Sequence, residues 1–298
     1  ITGDAEAGFV ITNSYTPETV TVSVEKEWDD ASNQDGKRSE SVTVQLYADG
    51  TASGEAVTLS ESNSWAHEWT ALPKYAAGKV IAYTVDETTV PDGYDKEITG
   101  DAETGFVITN SYTPETVTVE GSKTWDDADN QDGKRPGAIT VNLYANGKFV
   151  AAATVTAENG WAYTFESLDK YEDGKVIEYT VEEEAVAGYT TVISGNMTDG
   201  LTVTNTHEVE KTEVKVNKVW NDNNNQDGKR PTGITVNLLA NGKVVATAVI
   251  TAENGWTYTF EDLDKYENGT EILYTVKENT VAGYITMISG TAAVGYTI

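Results

Sequence analysis

The chain repeats itself at the period of a whole domain, and no other feature restricts its fold as much. KEWDDASNQDGKR from Lys26 returns as KTWDDADNQDGKR from Lys123 and as KVWNDNNNQDGKR from Lys218. The intervals are 97 and 95 residues by subtraction of those start positions. AENGWAYTFESLDKYEDGK (157–175) matches AENGWTYTFEDLDKYENGT (252–270), and ITGDAEAGFVITNSYTPETVTV at the start returns from Ile98 with Thr104 in place of Ala7. A period this long exceeds that of a solenoid repeat, so each unit is expected to own a core. The divisions read as residues 1–16, the last strand of a preceding repeat, then modules over 17–113, 114–208 and 209–298. The sequence reads as a window on a longer tandem array.

Within a module the pattern is strand and turn. VTVSVEKEW alternates apolar and polar residues, and ITVNLYANGK, WAYTF, VIEYTVEE and LTVTNT are further short runs separated by DG, NG, AG and DNQDG. About seven short strands per module, joined by this turn chemistry, predict a two-sheet antiparallel sandwich. YEDGK (171–175) is at most one helical turn. The linkers TPET (113–116) and HEVEKTE (207–213) lack the length of a Gly/Ser tether, so successive sandwiches are expected to form a semi-rigid rod.

Strand phase brings out the chemistry. Residues two apart share a face, and Val20, Val22, Val24, Lys26 and Trp28 therefore lie together, opposite Thr21, Ser23, Glu25 and Glu27. The second module repeats this face with Val117, Val119, Gly121, Lys123 and Trp125, and the third with Val214, Val216, Lys218 and Trp220. A lysine stands in core register each time. The YTV strands carry a glutamate inward by the same test: Glu87 after Tyr83 and Val85, Glu183 after Tyr179 and Val181, Glu278 after Tyr274 and Val276. The last strands carry an asparagine, Asn110 in phase with Phe106 and Ile108, Asn205 with Leu201 and Val203.

Burying an ammonium or carboxylate costs several kcal/mol unless it is paired or neutralised. A single inward lysine could snorkel out at a strand end, but three complementary polar residues recurring in fixed order predict a built constellation. One reading is a buried hydrogen-bonded network with no further chemistry. The other is covalent: desolvation lowers the lysine and raises the glutamate, and a neutral amine held against an Asn carbonyl is a nucleophile at high effective concentration. The glutamic acid would polarise that carbonyl and shuttle protons as ammonia leaves, giving a Lys–Asn isopeptide bond.

These motifs resemble the collagen-adhesin B-type (CnaB) repeats of Gram-positive surface proteins and pilins. The resemblance rests on Lys-x-Trp in the first strand, Tyr-Thr-Val-x-Glu, the Gly-Tyr that follows (Gly93-Tyr94, Gly188-Tyr189, Gly283-Tyr284) and the terminal Thr-Asn. It covers nearly the whole chain. It implies an all-β, Ig-like (prealbumin-like) sandwich in each module, with first and last strands side by side. It also implies isopeptide bonds joining Lys26 to Asn110 with Glu87, and Lys123 to Asn205 with Glu183. The implied role is a structural stalk of a bacterial surface adhesin or pilus-like protein, extracellular and anchored to the cell wall through a region outside this sequence. That is self-crosslinking in a single turnover, not enzymology.

The third module departs from the pattern. Aligned with ISGNMTDGLTVTN, ISGTAAVGYTI (288–298) stops two residues before the expected asparagine, so Lys218 and Glu278 lack an acceptor while Asn13 in FVITN is an acceptor without a lysine. Two explanations stay open: a partner elsewhere in a longer array, or strand exchange in which Lys218 bonds Asn13 of another copy and makes a head-to-tail fibre.

The formal net charge of −28 (48 acidic, 20 basic residues) opposes nucleic-acid and membrane-surface binding. No apolar run approaches a membrane span, and with no cysteine there is no disulfide framework. No cofactor is implied. DDADNQDG (126–133) leaves calcium as a minor option, but it lacks a distant bidentate Glu and becomes NDNNNQDG in the third module. The expected partners are neighbouring repeats. The alternative function is a host matrix-protein- or glycan-binding module, disfavoured because binding usually resides in loops and these loops hardly differ.

Overall fold

The computed structural model describes residues 1–298. The chain consists of β-strands with two short 3-10 turns, and no helix is long and apolar enough to cross a membrane. It packs as two compact units, residues 1–118 with 166–178, and residues 119–165 with 179–298. The architecture is a tandem of Ig-like β-sandwiches.

The sandwich of the first unit shows how the sequence pattern becomes layers. Strand Thr19–Asp29 turns Val22 and Val24 into the core and Glu25 and Glu27 to solvent, the period-two alternation of a half-buried strand. It stands in a four-stranded sheet ordered Asp95–Asp101, Gly105–Ser111, Thr19–Asp29, Ala66–Pro73. The first and last strands of the module are parallel neighbours, Ile108 opposite Lys26 and Asn110 opposite Trp28. Parallel neighbours need a long crossover, and here the crossover is the body of the module. The facing sheet has Ser41–Ala48 at its centre, Tyr83–Glu87 on one edge, and Thr51–Ala52 with Val57–Ser60 on the other. Val44, Leu46, Leu59 and Ile108 meet between the sheets, fully buried.

The chain repeats this plan twice more. One sheet runs Ala162–Asp169, Thr116–Asp126, Gly200–Thr206, Thr190–Asn196, and the other Thr257–Asp264, Lys211–Asn217, Gly295–Thr297, Ser289–Thr291. Lys123 lies opposite Val203 and Trp125 opposite Asn205. The facing sheets are Lys148–Thr156, Ala138–Ala145, Tyr179–Glu183, and Lys243–Thr251, Gly233–Ala240, Tyr274–Glu278. In the last sandwich the parallel ladder closes at Val216 opposite Tyr296 and Asn217 opposite Thr297.

Two loops differ from simple expectation. YEDGK is a minimal hairpin, Tyr171–Glu172 paired with Lys175–Val176, with Asp173 and Gly174 both at positive φ. Asp-Gly is the residue pair a type I′ turn requires, and this chemistry overrides the helical reading. The DNQDG loop makes a left-handed turn through Ala31, Ser32 and Asn33 (φ 50, 59 and 63). The Asp30 carboxylate accepts the Asn33 N–H at 2.9 Å, and Asn33 Oδ1 accepts the Arg38 N–H at 2.9 Å, which offsets the cost of that conformation.

The same loop makes contacts that tie sequence-distant segments together inside each unit. In the first unit Gly174 donates to the Gln34 carbonyl, and a Cβ on Gly36 would stand 2.7 Å from Gly174 Cα. The buried Asp35 carboxylate accepts from the Tyr112 hydroxyl and the Glu115 N–H, both at 2.8 Å. Glu115 bridges Lys37 and Lys170. In the second unit Gly269 donates to Gln131, Asp132 accepts from the Glu210 N–H at 2.7 Å, and Glu210 bridges Lys134 and Lys265. His207 takes the place of Tyr112, 2.9 Å from Asp132.

Residues Thr2–Asp4 and Gly8–Val10 form a separate hairpin with Gly3 opposite Phe9, the register that Gly100 and Phe106 have in the first sandwich. Phe9 and Ile11 are exposed, whereas their counterparts Phe106 and Ile108 are buried.

Candidate crosslinking site

In the first sandwich Lys26, Glu87 and Asn110 come from three strands and are all buried. The Asn110 amide nitrogen donates to Glu87 Oε1 at 3.0 Å, and Lys26 Nζ stands 4.0 Å from Glu87 Oε2. The lysine donates to the carbonyls of Glu27 at 2.6 Å and Ile108 at 3.3 Å, which holds Nζ between the first and last strands. Glu87 Oε2 and Asn110 Oδ1 have no hydrogen-bond partner.

The second sandwich repeats the arrangement. Lys123 Nζ is 3.8 Å from Glu183 Oε1, both side chains fully buried. It donates to the carbonyls of Thr124 and Val203 at 2.7 and 3.4 Å, and Asn205 Nδ2 donates to Glu183 Oε1 at 3.1 Å. In the third, Lys218 Nζ and Glu278 Oε1 are in direct contact at 2.8 Å, beside a cleft of about 750 Å³ lined in part by Lys218, Trp220, Tyr284 and Ile298. Asn13 lies outside every sandwich, exposed, just beyond the N-terminal hairpin. The structure thus brings together two complete Lys–Glu–Asn sets and one Lys–Glu pair.

Tryptophan seals each lysine. Nζ of Lys26, Lys123 and Lys218 lies 4.1, 4.0 and 4.3 Å from the ring centre of Trp28, Trp125 and Trp220, and Arg38, Arg135 and Arg230 cover the rings at 5.5 Å. Trp65 and Tyr94 pack edge-on against Trp28. Loss of water is the main cause that brings Lys26 and Lys123 down to about 8, against the opposing pull of Glu87 and Glu183. Burial likewise pushes Glu87 up, against the Asn110 hydrogen bond and the Lys26 charge.

Sequence phase missed the groups that support this seal. Asp30 accepts from Arg38 Nε at 2.9 Å and from the Tyr94 hydroxyl at 2.8 Å. Asp127, Arg135 and Tyr189, and Asp222, Arg230 and Tyr284, repeat it. These donors hold Asp30, Asp127 and Asp222, the carboxylates just ahead of each loop turn, on a guanidinium and a phenol. Phase also missed Thr191, whose hydroxyl lies 2.6 Å from Glu183 Oε2 and 2.8 Å from Asn205 Oδ1. Its signal is Tyr189-x-Thr191, two residues apart on one face.

Three segments of the chain, 22–111, 119–206 and 214–298, match the Cna protein B-type domain family. The chain belongs to that family. A collagen adhesin of Staphylococcus aureus is 47% identical over 283 residues, which is 94% of this chain and 24% of the relative. The chain therefore spans about a quarter of that relative's length. The crystal structure of two B repeat units (B1B2) of the collagen binding protein (CNA) of Staphylococcus aureus is similar to this chain, with TM-score 0.61 and 46% identity. The match covers 95% of this chain and 75% of that one. The B-type domains of this chain thus carry their polar triads on a fold already seen in tandem repeats of a surface protein.

Proposed function

We propose that the chain is a stalk of a Gram-positive surface adhesin, extracellular, whose B-type domains lock themselves with Lys26–Asn110 and Lys123–Asn205 isopeptide bonds. The observation that carries this reading is the burial of lysine, glutamate and asparagine together between parallel first and last strands, twice over. Each buried Lys–Glu pair can pass one proton from ammonium to carboxylate and become amine and acid without any change in proton count. The amine then attacks Asn Cγ; the new C–N bond forms, the C–Nδ2 bond breaks, and Nδ2 leaves as ammonia with the proton the lysine loses. The glutamic acid starts and ends neutral.

A bond at this place closes almost the whole module into a loop. By the chain-entropy argument that applies to long-loop disulfides it stabilises by roughly 4–5 kcal/mol, and no reductant opens it. That suits a spacer that holds a distal domain away from the cell wall. Collagen binding is named for the Staphylococcus aureus relatives as whole proteins, and here the repeats serve as neighbours to one another.

The N-terminal hairpin favours a second use of the same chemistry. Phe9, Ile11 and Asn13 repeat the spacing of Phe106, Ile108 and Asn110, and all three are exposed. Asn13 is proposed as an acceptor for the lysine of another module, in a longer tandem array or, by strand exchange, Lys218 of a second copy, whose donor strand would displace the strand already paired there.

Peptide mapping of the full chain tests the assignment. A linked Lys26–Asn110 peptide is expected to vanish in Glu87→Ala and a linked Lys123–Asn205 peptide in Glu183→Ala, each without affecting the other. Linked peptides that persist in both variants would remove the glutamates from the chemistry. A ladder of covalent multimers on a denaturing gel, absent in Asn13→Ala, identifies the bond in trans; its absence from the parent chain rejects it.

A further inference from the structure

The second and third B-type domains hold a threonine hydroxyl against the inward glutamate, and the first does not. Thr191 lies opposite Asn205 in the ladder, and Lys96 lies opposite Asn110. Lys96 turns away from the triad carboxylate, donating to Asp86 and to the Glu87 carbonyl. Thr286 follows Tyr284 by two residues, as Thr191 follows Tyr189, and its hydroxyl hydrogen-bonds Glu278 Oε2.

The Thr191 hydroxyl stands between two oxygens, Glu183 Oε2 at 2.6 Å and Asn205 Oδ1 at 2.8 Å. A hydroxyl has one hydrogen and cannot donate to both. All contacts are satisfied together when Glu183 Oε2–H donates to Thr191 Oγ1 and Thr191 donates to Asn205 Oδ1. Meanwhile Asn205 Nδ2 donates to Glu183 Oε1. The carboxyl group therefore faces the leaving nitrogen with one oxygen and reaches the amide oxygen only through the threonine.

We propose that Thr191 is a catalytic residue of crosslinking in the second domain, relaying a proton between Glu183 and the Asn205 carbonyl oxygen, and that Thr286 is its counterpart in the third. The proposal rests on the crosslinking reading above. As Lys123 Nζ attacks Cγ, negative charge grows on Oδ1; Thr191 passes its proton to Oδ1 and takes the Glu183 Oε2 proton. On collapse the C–O double bond re-forms, the proton returns through Thr191, and Nδ2 departs from the Oε1 side with the proton shed by Nζ. Lysine amine and asparagine amide become isopeptide and ammonia, and both Thr191 and Glu183 end as they began. In the first domain Asn110 Oδ1 has no hydrogen-bond donor, so that oxygen develops charge unaided. The second domain is expected to close faster than the first.

The test follows linked peptides against time after a pulse of cell-free synthesis of the full chain, with acid quenching. Thr191→Val is expected to slow the Lys123–Asn205 bond by about a hundredfold, the scale of losing one oxyanion donor, with the Lys26–Asn110 rate unchanged. Thr191→Ser is expected to restore the rate to within a few-fold. Lys96→Thr is expected to speed the Lys26–Asn110 bond by about tenfold or more, a gain that misfolding cannot mimic. Equal rates in parent and Thr191→Val, or no gain in Lys96→Thr, overturn the relay. No linked Lys123–Asn205 peptide in the parent at any time would instead overturn the crosslinking reading itself.

Discussion

Lys218 Nζ touches Glu278 at 2.8 Å, whereas Lys26 and Lys123 stand 4.0 and 3.8 Å from their glutamates. The difference follows the asparagine. Where Asn110 or Asn205 donates its amide to the carboxylate, the lysine stands off and donates to strand carbonyls instead. Where no asparagine stands, ammonium and carboxylate close into an ion pair.

Asn205→Ala is therefore expected to turn the second domain into a copy of the third. A crystal structure of the variant should show the Lys123–Glu183 separation contracting from 3.8 Å toward the 2.8 Å of the third domain. Chemical denaturation should show that domain weakened by roughly 4–5 kcal/mol through loss of the crosslink. Unchanged stability would mean the asparagine was not bonded.

Trp125 governs the nucleophile. With Lys123 near 8, roughly a tenth of it is neutral amine at pH 7, against on the order of one part in a few thousand for an ordinary lysine. Trp125→Ala admits water, and the crosslinking rate at pH 7 is expected to fall by roughly a hundredfold. The parent rate should hold level up to about pH 8 and fall above it, where the pair loses the proton the glutamic acid must carry, while the lower variant rate holds level toward about pH 10. Identical pH profiles would contradict desolvation as the source of reactivity.

His207 makes part of the stability of the second unit depend on pH. Its ring nitrogens face two acceptors, Asp132 Oδ2 at 2.9 Å and the Gly188 carbonyl at 2.7 Å, so both must donate and the ring is cationic. The Asp132 hydrogen bond is the main cause that raises His207 above its ordinary 6.5; burial and Lys134 oppose it. Arg135 neutralises Asp127 under the neighbouring Tyr189 ring, and Glu210 is held by Lys134 and Lys265. A folded-state value above the unfolded one gives stability that is complete below about pH 6.5 and is lost as pH rises through the folded value. Unfolding measured from pH 5.5 to 8.5 should show that loss, and His207→Tyr should abolish it by supplying the hydroxyl that Tyr112 gives Asp35. A pH dependence unchanged in His207→Tyr would contradict the assignment.

Gly36 and Gly133, in the loops of the first two modules, set a close backbone approach. A Cβ on Gly133 would stand 2.5 Å from Gly269 Cα, at φ +68, so Gly133→Ala meets both a clash and a left-handed conformation costing about 1–2 kcal/mol. Limited proteolysis in the 207–213 linker is expected to speed up, while the Lys123–Asn205 bond still forms. Unaltered cleavage would show that the contact does not protect the linker.

Much of this was legible because a strand has a period of two. That single rule placed Lys26, Glu87 and Asn110 inward from letters alone, and the domain-length repeat turned one oddity into a pattern. The rule is blind to partners on other strands. Thr191 looks like any threonine in a strand until Asn205 is set opposite it. His207 looks solitary because Asp132 is distant in sequence, and Asp30, Arg38 and Tyr94 form their cluster only when loop and strand meet. Within YEDGK the Asp-Gly pair decides for a minimal hairpin over a single helical turn.

Intact mass of the denatured, full-length chain tests the central claim most directly. Two Lys–Asn bonds release two ammonia molecules, so the mass is expected to lie about 34 Da below that of the unmodified sequence, with Glu87→Ala and Glu183→Ala each restoring about 17 Da beyond the substitution itself. A mass equal to that of the unmodified sequence would contradict the account and leave the two triads as buried hydrogen-bond networks.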